Sequence, residues 1–416
     1  MRALAVIDGE HYGPVVRDAL VALPYEIVAV WLAGGTEKLL GVEDYGAPLV
    51  ADLEAGIAEH EPELVIDLSD EPVLGPRERF RVASRVLALG LPYVGADFRF
   101  DPPELAPYPV PSLAVIGTGK RVGKTAVTGH VARLLARDRE VVVVAMGRGG
   151  PPEPELADVR PTPEFLLRLS REGRHAASDY LETAALAGVV TIGCRRCGGG
   201  LAGSPGESNV LAGAALAAER DPDLVIFDGS GAAVPPVDVA ARVLVTSAAQ
   251  PVEVVTGYLN AFRILISDLV VVTGGAGERL LEAIVEVKDV PVVSAELRPR
   301  PVEPVAGRRV AFFSTAPVSA HETLARHLEE HHGAEVTHVS GNLAHREALQ
   351  AELEQVDADV YVVEIKAAAI DVVAEAALSR GRELVFADNE LVTAADLDAQ
   401  LLALAEKATA REVVTP

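Results

Sequence analysis

Cysteine, lysine and aromatic side chains are scarce in this chain. Its 416 residues include two cysteines, Cys194 and Cys197, a single tryptophan and 4% aromatic residues. Two cysteines cannot supply the disulfide framework of a small secreted scaffold. A closed tetrahedral zinc site would need two further ligands, and no second cysteine pair exists to give them. Long apolar runs are missing as well. Val141–Val144 and Leu269–Val272 are strand-length, far short of the roughly 20 residues that a membrane helix needs. Asp8, Glu10 and His11 interrupt the first apolar stretch, so no secretory signal pattern opens the sequence. A soluble, cytoplasmic protein with no membrane partner is the expectation. Positive charge is in deficit too, with a formal net charge of −24. That balance argues against nucleic acid or an anionic surface as partner. It also makes any local group of cations informative, because the background field repels anions. Lysine occurs only at 38, 120, 124, 288, 366 and 407, and two of these fall in one glycine-rich loop.

What is present is an α/β pattern. A hydrophobic content of 49% excludes a disordered chain, and the length suggests two or three domains. Strand-length apolar runs alternate with helical patterns throughout, the signature of parallel α/β layers. The first unit, 1–110, reads as strands at 3–7, 27–31, 64–67 and 93–94 with helices near 14–22, 51–60 and 78–89. Its proline-rich end, Asp101–Pro111, cannot be helix and reads as a linker. The second unit, 111–304, carries strands at 113–117, 141–145, 224–228, 243–246, 269–273 and 292–294, and closes at Pro299, Pro301 and Pro304. The third, 305–416, alternates strands at 309–313, 335–339, 360–365 and 384–387 with helices at 321–332, 345–355 and 370–379. An amphipathic helix near 394–408 ends it. The expected fold class is α/β: a central P-loop NTPase-like parallel sheet flanked by N-terminal and C-terminal Rossmann-like lobes.

The tightest chemical constraint lies at Leu113–Thr125, where an apolar strand runs into a glycine-rich loop ending Gly123-Lys124-Thr125, with a helical pattern after it. Such a unit aims backbone N–H groups and a positive helix end at a polyphosphate. Gly117, Thr118, Gly119, Lys120, Arg121, Val122, Gly123, Lys124, Thr125 and Ala126 are therefore the expected nucleotide contacts. Lys124 would reach the outer phosphates of ATP, and the Thr125 hydroxyl would sit on Mg²⁺. The usual spacing asks for glycine where Thr118 stands. The fit is better to Gly-Lys-x-x-Gly-Lys-Thr, read as Gly119, Lys120, Gly123, Lys124 and Thr125.

Four other stretches carry chemistry. Leu224–Asp228 is an apolar strand ending in a carboxylate; Asp228 either joins the Mg²⁺ shell, as a Walker-B-type acid does, or caps the turn. Val141–Ala145 leads into Met146-Gly147-Arg148-Gly149-Gly150, whose Arg148 would face the phosphates at the strand ends. The acidic, proline-rich run after it offers Glu155 to a metal. Gly193–Gly203 holds Arg195 and Arg196 between Cys194 and Cys197 and before a triple glycine. It reads as a flexible loop for an anion, with structural thiols or a bridging metal cluster as the alternatives. Asp8, Glu10 and His11 follow the first strand and suit either a substrate contact or a capped turn. Lys366, at a strand end in a lysine-poor chain, is a candidate phosphate contact.

The loop form resembles the SIMIBI branch of P-loop proteins, which includes dethiobiotin synthetase and the ParA/MinD ATPases. That resemblance implies a phosphate contact for Lys120, a homodimer, and, as a rival reading, an ATPase switch or metal-cluster carrier using Cys194 and Cys197. Five stretches in order, Ile7–Tyr12, Gly117–Thr125, Met146–Glu155, Gly193–Gly203 and Glu364–Asp371, resemble the cyclic 2,3-diphosphoglycerate synthetase family over nearly the whole chain. The resemblance implies an ATP- and Mg²⁺-dependent ligase that closes 2,3-diphosphoglycerate into a cyclic pyrophosphate, with release of ADP and phosphate. It makes Lys120, Lys124 and Asp228 the expected catalytic groups, with Thr125, Asp228 and Glu155 at the metal. Asp8, Glu10, His11, Arg148, Arg195, Arg196 and Lys366 become the candidates for holding the anionic substrate.

Overall fold

The apolar run Ala3–Ile7 is buried along its whole length, as a strand covered on both faces must be. It belongs to a computed structural model that describes residues 1–39, 41, 43–176, 178–275, 277–365 and 369–411. Among these residues, a six-stranded sheet forms from β1 (Arg2–Ile7), β2 (Glu26–Leu32), β3 (Leu49–Val50), β4 (Leu64–Asp67), β5 (Tyr93–Val94) and β6 (Arg99–Phe100), in the order β3-β2-β1-β4-β5-β6. All its pairings are parallel except β5 with β6. The helix Pro76–Ala88 docks this unit on the rest of the chain, where Leu259 and Phe262 enter its core and Phe80 meets Tyr258 edge-on at 5.6 Å.

The second sheet has thirteen strands among the described residues. They are β7 (Ser112–Gly117), β8 (Val141–Gly147), β9 (Glu155–Ala157), β10 (Val190–Cys197), β11 (Glu207–Ser208), β12 (Leu224–Asp228), β13 (Ala241–Ser247), β14 (Leu269–Thr273), β15 (Val292–Pro301), β16 (Arg309–Phe313), β17 (Glu335–Ser340), β18 (Val360–Glu364) and β19 (Glu383–Val392). The order is β11-β10-β8-β12-β7-β13-β14-β15-β19-β18-β16-β17, with β9 added on β10. The strand that feeds the glycine-rich loop, β7, lies between β12 and β13, parallel to both. The four strand ends Gly117, Gly147, Asp228 and Ser247 therefore gather at one edge, where open α/β sheets hold their ligands.

Pro299 and Pro301 do not break the chain as their sequence suggests. They lie in the second half of β15. Its first half, Val292–Ala295, pairs in parallel with β14, and its second half, Glu296–Pro301, pairs antiparallel with β19. Each half has a single neighbour, so a proline can turn its missing N–H to the open side. One strand thus joins the P-loop strands and the C-terminal strands into a continuous sheet. The last helix, Leu397–Ala410, packs on the P-loop strands: Leu397, Leu401, Ala405 and Ala408 share a core with Leu113, Val115 and Val127. The expected helix at 370–379 is a π-helical turn, Ala369–Ala374, followed by the helix Glu375–Ser379. No described helix is long and apolar enough to cross a membrane.

Candidate active site

β7 delivers a tight loop and a helix start. Gly123 is left-handed, at φ 83°, and a Cβ there would lie 2.8 Å from Thr273 Cγ2, so both backbone and space require glycine. The Thr273 hydroxyl donates to Val122 O at 2.9 Å and Thr118 N donates to Val245 O at 3.1 Å, which pins the loop to β13 and β14. Thr118, in the place usually held by glycine, is buried with its hydroxyl 2.6 Å from Gln250 Oε1. The helix Lys124–Leu135 then begins with amides that have no intrahelical partner, at the positive end of its dipole. Gly119 through Ala126 line a cavity of about 1020 Å³.

Cations and carboxylates meet around this helix start. Asp228, which ends β12, is 2% exposed. Its Oδ1 accepts from the Lys124 ammonium and, at 2.9 Å, from the Thr128 hydroxyl. Burial pushes the Asp228 carboxyl up, Lys124 pulls against it, and the nearby Asp179 charge adds to the net rise. Arg148 lies over Gly231, with Nη2 2.6 Å from where a Cβ would stand. Arg196 donates from Nη2 to Ser230 O at 2.7 Å and from Nη1 to Gly198 O. Burial and then the Arg148 charge hold its guanidinium below the ordinary range. Its Nε is buried with no hydrogen-bond partner. Arg148 lines the cavity, and Arg196, which is not among its lining residues, stands behind it with an orphaned buried donor; together the two guanidinium groups make an anion-seeking corner at that wall.

The opposite wall comes from the C-terminal strands. Thr315 follows β16, Glu364 ends β18, Asp388 and Asn389 lie on β19, and Arg346 starts a helix; all five line the cavity. Arg346 pairs with Asp371 at 2.5 Å near solvent. Lys366 lies outside the described residues.

Several candidates go elsewhere. Residues 194–197 are not a flexible loop but the end of β10, because Cys194 and Arg195 pair with Met146 and Gly147 of β8, and Arg196 with Ser208 of β11. Neighbouring strand residues point to opposite faces, so Arg195 is exposed while Arg196 turns to Ser230. The same alternation separates the cysteines, which stand about 10 Å apart along the strand on opposite faces. Cys194 is buried against Gly213, its thiol pushed up to about 12 by burial, and Cys197 is exposed. They cannot grip one cluster, which removes the geometric basis of the carrier reading. Glu155, carried outward by β9, accepts from Arg174 at 2.9 Å and from the Tyr180 hydroxyl at 2.7 Å, and does not line the cavity. Nor do Asp8, Glu10 and His11. Asp8 accepts from the backbone N–H groups of Glu10 (2.9 Å), His11 (3.1 Å) and Asp70 (2.7 Å) and from the His11 ring at 2.8 Å. It caps the turn after β1.

Family models for the N-terminal, P-loop and C-terminal domains of cyclic 2,3-diphosphoglycerate synthetase match residues 2–101, 112–295 and 301–390. The chain belongs to that family. A relative of this name from Rubrobacter xylanophilus is 52% identical, covering 98% of each chain. One from Thermococcus gammatolerans is 47% identical over 94% of this chain and 93% of its own. One from Methanothermobacter thermautotrophicus is 39% identical over 98% and 96%. As a cyclic 2,3-diphosphoglycerate synthetase family member, the chain is an enzyme with a nucleotide-binding P-loop domain.

Sequence reading missed Asp179, His175 and Arg346, which line the same cavity. Asp179 opens the helix Asp179–Ala187 after Ser178, a pattern that reads as an ordinary helix start. Only the fold reveals that this end faces Arg196 and Asp228.

Proposed function

We propose that the chain uses ATP to close 2,3-diphosphoglycerate into its cyclic pyrophosphate, releasing ADP and phosphate. The observation that carries this reading is the single cavity in which Lys120, Lys124 and Arg148 meet Arg346 from the opposite wall. The substrate holds two phosphates and a carboxylate, and a chain of net charge −24 must gather cations to seat it beside a nucleotide. ATP on the loop would place its γ-phosphoryl at the start of the Lys124–Leu135 helix, where amides, Lys120 and Lys124 stabilise the charge that spreads in transfer. One substrate phosphate accepts that phosphoryl group and ADP leaves. An oxygen of the neighbouring phosphate then attacks the inner phosphorus of the new anhydride, the outer phosphate departs, and the ring closes. The step is intramolecular, so a high effective molarity replaces an encounter.

The donor set suits Mg²⁺: Asp228 is a buried carboxylate whose present counter-charge is Lys124, and Thr125 opens the adjoining helix. Hard oxygen donors of this kind are what that ion takes. Asp228 and Thr125 would hold it, and when bound it would neutralise part of the phosphate charge. The reading includes a cytoplasmic homodimer in which Lys120, exposed at the cavity, reaches a partner's nucleotide; light scattering with and without ATP measures that state.

Phosphorus NMR of purified protein with ATP, Mg²⁺ and 2,3-diphosphoglycerate is the direct test. Substrate-dependent ADP, inorganic phosphate and a cyclic pyrophosphate signal are expected. ADP without phosphate would instead mark a kinase that stops before ring closure.

A further inference from the structure

His327 and His332 stand on the last turns of the helix His321–His332, and Glu390 lies on β19 beside them. His327 Nε2 is 2.6 Å from Glu390 Oε1 and His332 Nε2 is 3.7 Å from the same oxygen. The three ligand atoms lie within 4.8 Å of one another. We propose that these residues bind a single zinc-class divalent cation at a site separate from the P-loop cavity.

The geometry needs little adjustment. A tetrahedral zinc with bonds of about 2.0–2.1 Å holds its ligand atoms about 3.3 Å apart, between the two separations seen here. His332 Nε2 is buried with no hydrogen-bond partner, so its lone pair or its proton is unused in the free protein. The carboxylate is a hard donor, but the two imidazoles are borderline ones, and a set of two nitrogens and one oxygen suits zinc rather than Mg²⁺. The helix ends at left-handed Gly333, φ 65°, and His332 stands in its last turn, where the partial negative charge of a helix C-terminus favours a cation. Nearby arginines are already matched: Arg298 pairs with Glu296, and Arg300 with Asp388 at 3.1 Å. Among the described residues the ion pairs of Glu390 are with His327 and His332. A groove of about 500 Å³ adjoins the triad, with room for a water as fourth ligand. His331, stacked on His327 at 4.5 Å between ring centroids, lies at its edge. A bound ion would clip the helix to β19, the strand that also carries Asp388 and Asn389 into the main cavity.

The test is titration of EDTA-stripped, full-length protein with zinc chloride at neutral pH, by calorimetry, without nucleotide. A Cys197→Ser background silences the exposed thiol. One saturable equivalent is expected, with a rise in the thermal midpoint, and cobalt(II) in its place should give the visible bands of a tetrahedral site. His332→Gln should lose the equivalent, the rise and the bands. Its folding is checked by circular dichroism, and Glu390→Gln serves as a second variant with the same expected losses. No saturable equivalent in the parent, or undiminished binding in folded His332→Gln and Glu390→Gln, overturns the proposal.

Discussion

Lys124 and Asp228 hold each other: the ammonium at the start of the P-loop helix donates to the carboxylate that ends β12, and both side chains are largely buried. A nucleotide that draws Lys124 onto its phosphates must therefore uncover a buried carboxylate. Removing the counter-charge from a buried acid is costly, so a second cation has to enter as the lysine leaves. On the proposed reading, that coupling ties phosphate binding to Mg²⁺ binding through one residue pair.

Lys124→Ala should lower turnover by on the order of 10²-fold or more by removing transition-state charge stabilisation. It should also reveal the pair in the stability of the free protein, with a loss of about 3–5 kcal/mol at neutral pH. Burial raises Asp228 above its unfolded value of 3.8. Its contribution to stability is thus fully present below that value and fades as pH rises through the folded value. Acidification should recover part of the Lys124→Ala loss, and Lys124→Ala with Asp228→Asn should recover it at neutral pH. Denaturant melts across pH will show whether it does; a double variant as unstable as the single one would mean the pair is not what the lysine supports.

The P-loop was legible because its signal is local: glycines and lysines at fixed spacing after an apolar strand dictate both backbone and charge. The strand β10 was not. Arginines, a Cys-x-x-Cys spacing and a following triple glycine mask a segment whose pairing partners, Met146 and Ser208, are remote in sequence. Prolines hid the second half of β15 because tolerance for proline depends on which strand edge is vacant, a property of the sheet. On the C-terminal wall of the cavity only Glu364 falls in a stretch that the sequence singled out; Thr315 and Arg346 reach the cavity because β15 makes the sheet continuous, which their local sequence does not show.

Arg195 and Arg196 should behave differently although they are adjacent. Arg196→Ala removes the guanidinium beside Arg148 and should lower kcat/KM by the equivalent of about 1.5–3 kcal/mol for a charge-assisted contact. Arg195→Ala, on the exposed face of β10, should stay within a few-fold of the parent. Equal losses in the two variants would show that strand alternation does not govern this edge.

Cys197 should react with iodoacetamide at mildly alkaline pH while Cys194 does not. The Cys194 thiol is buried and pushed up to about 12, and the thiolate is the reactive form. Mass spectrometry of the folded protein should therefore find one alkyl group, and two only after denaturation. Anaerobic reconstitution with iron and sulfide should give no colour, because the two sulfurs cannot meet one cluster.

Asp179→Asn should raise the Mg²⁺ concentration for half-maximal activity several-fold, with a smaller effect on the KM for ATP. Its carboxylate faces Asp228 and Arg196 at the cavity, and deleting one of two acids weakens attraction for a divalent ion. A change confined to the KM for diphosphoglycerate would place Asp179 with the substrate arginines instead.

Asp8 offers the sharpest separation of structure from chemistry. Burial alone would raise its carboxyl. The His11 ring and the amides of Asp70 and Glu10 outweigh that and leave it below the ordinary 3.8. A lowered acid contributes stability that is present above its unfolded value and is lost as pH falls through its folded value. Asp8→Ala strands the amides of Glu10, His11 and Asp70 that now donate to it. Hydrogen bonds to a charged group are worth roughly 1.5–3 kcal/mol each, so the variant should melt earlier at neutral pH and lose less than the parent on acidification. Measured per folded molecule, its kcat/KM should remain near the parent value, since Asp8 does not line the cavity. If stability were instead unchanged and the KM for diphosphoglycerate rose, the turn after β1 would be a substrate contact and the corner formed by Arg148 and Arg196 would have been misassigned.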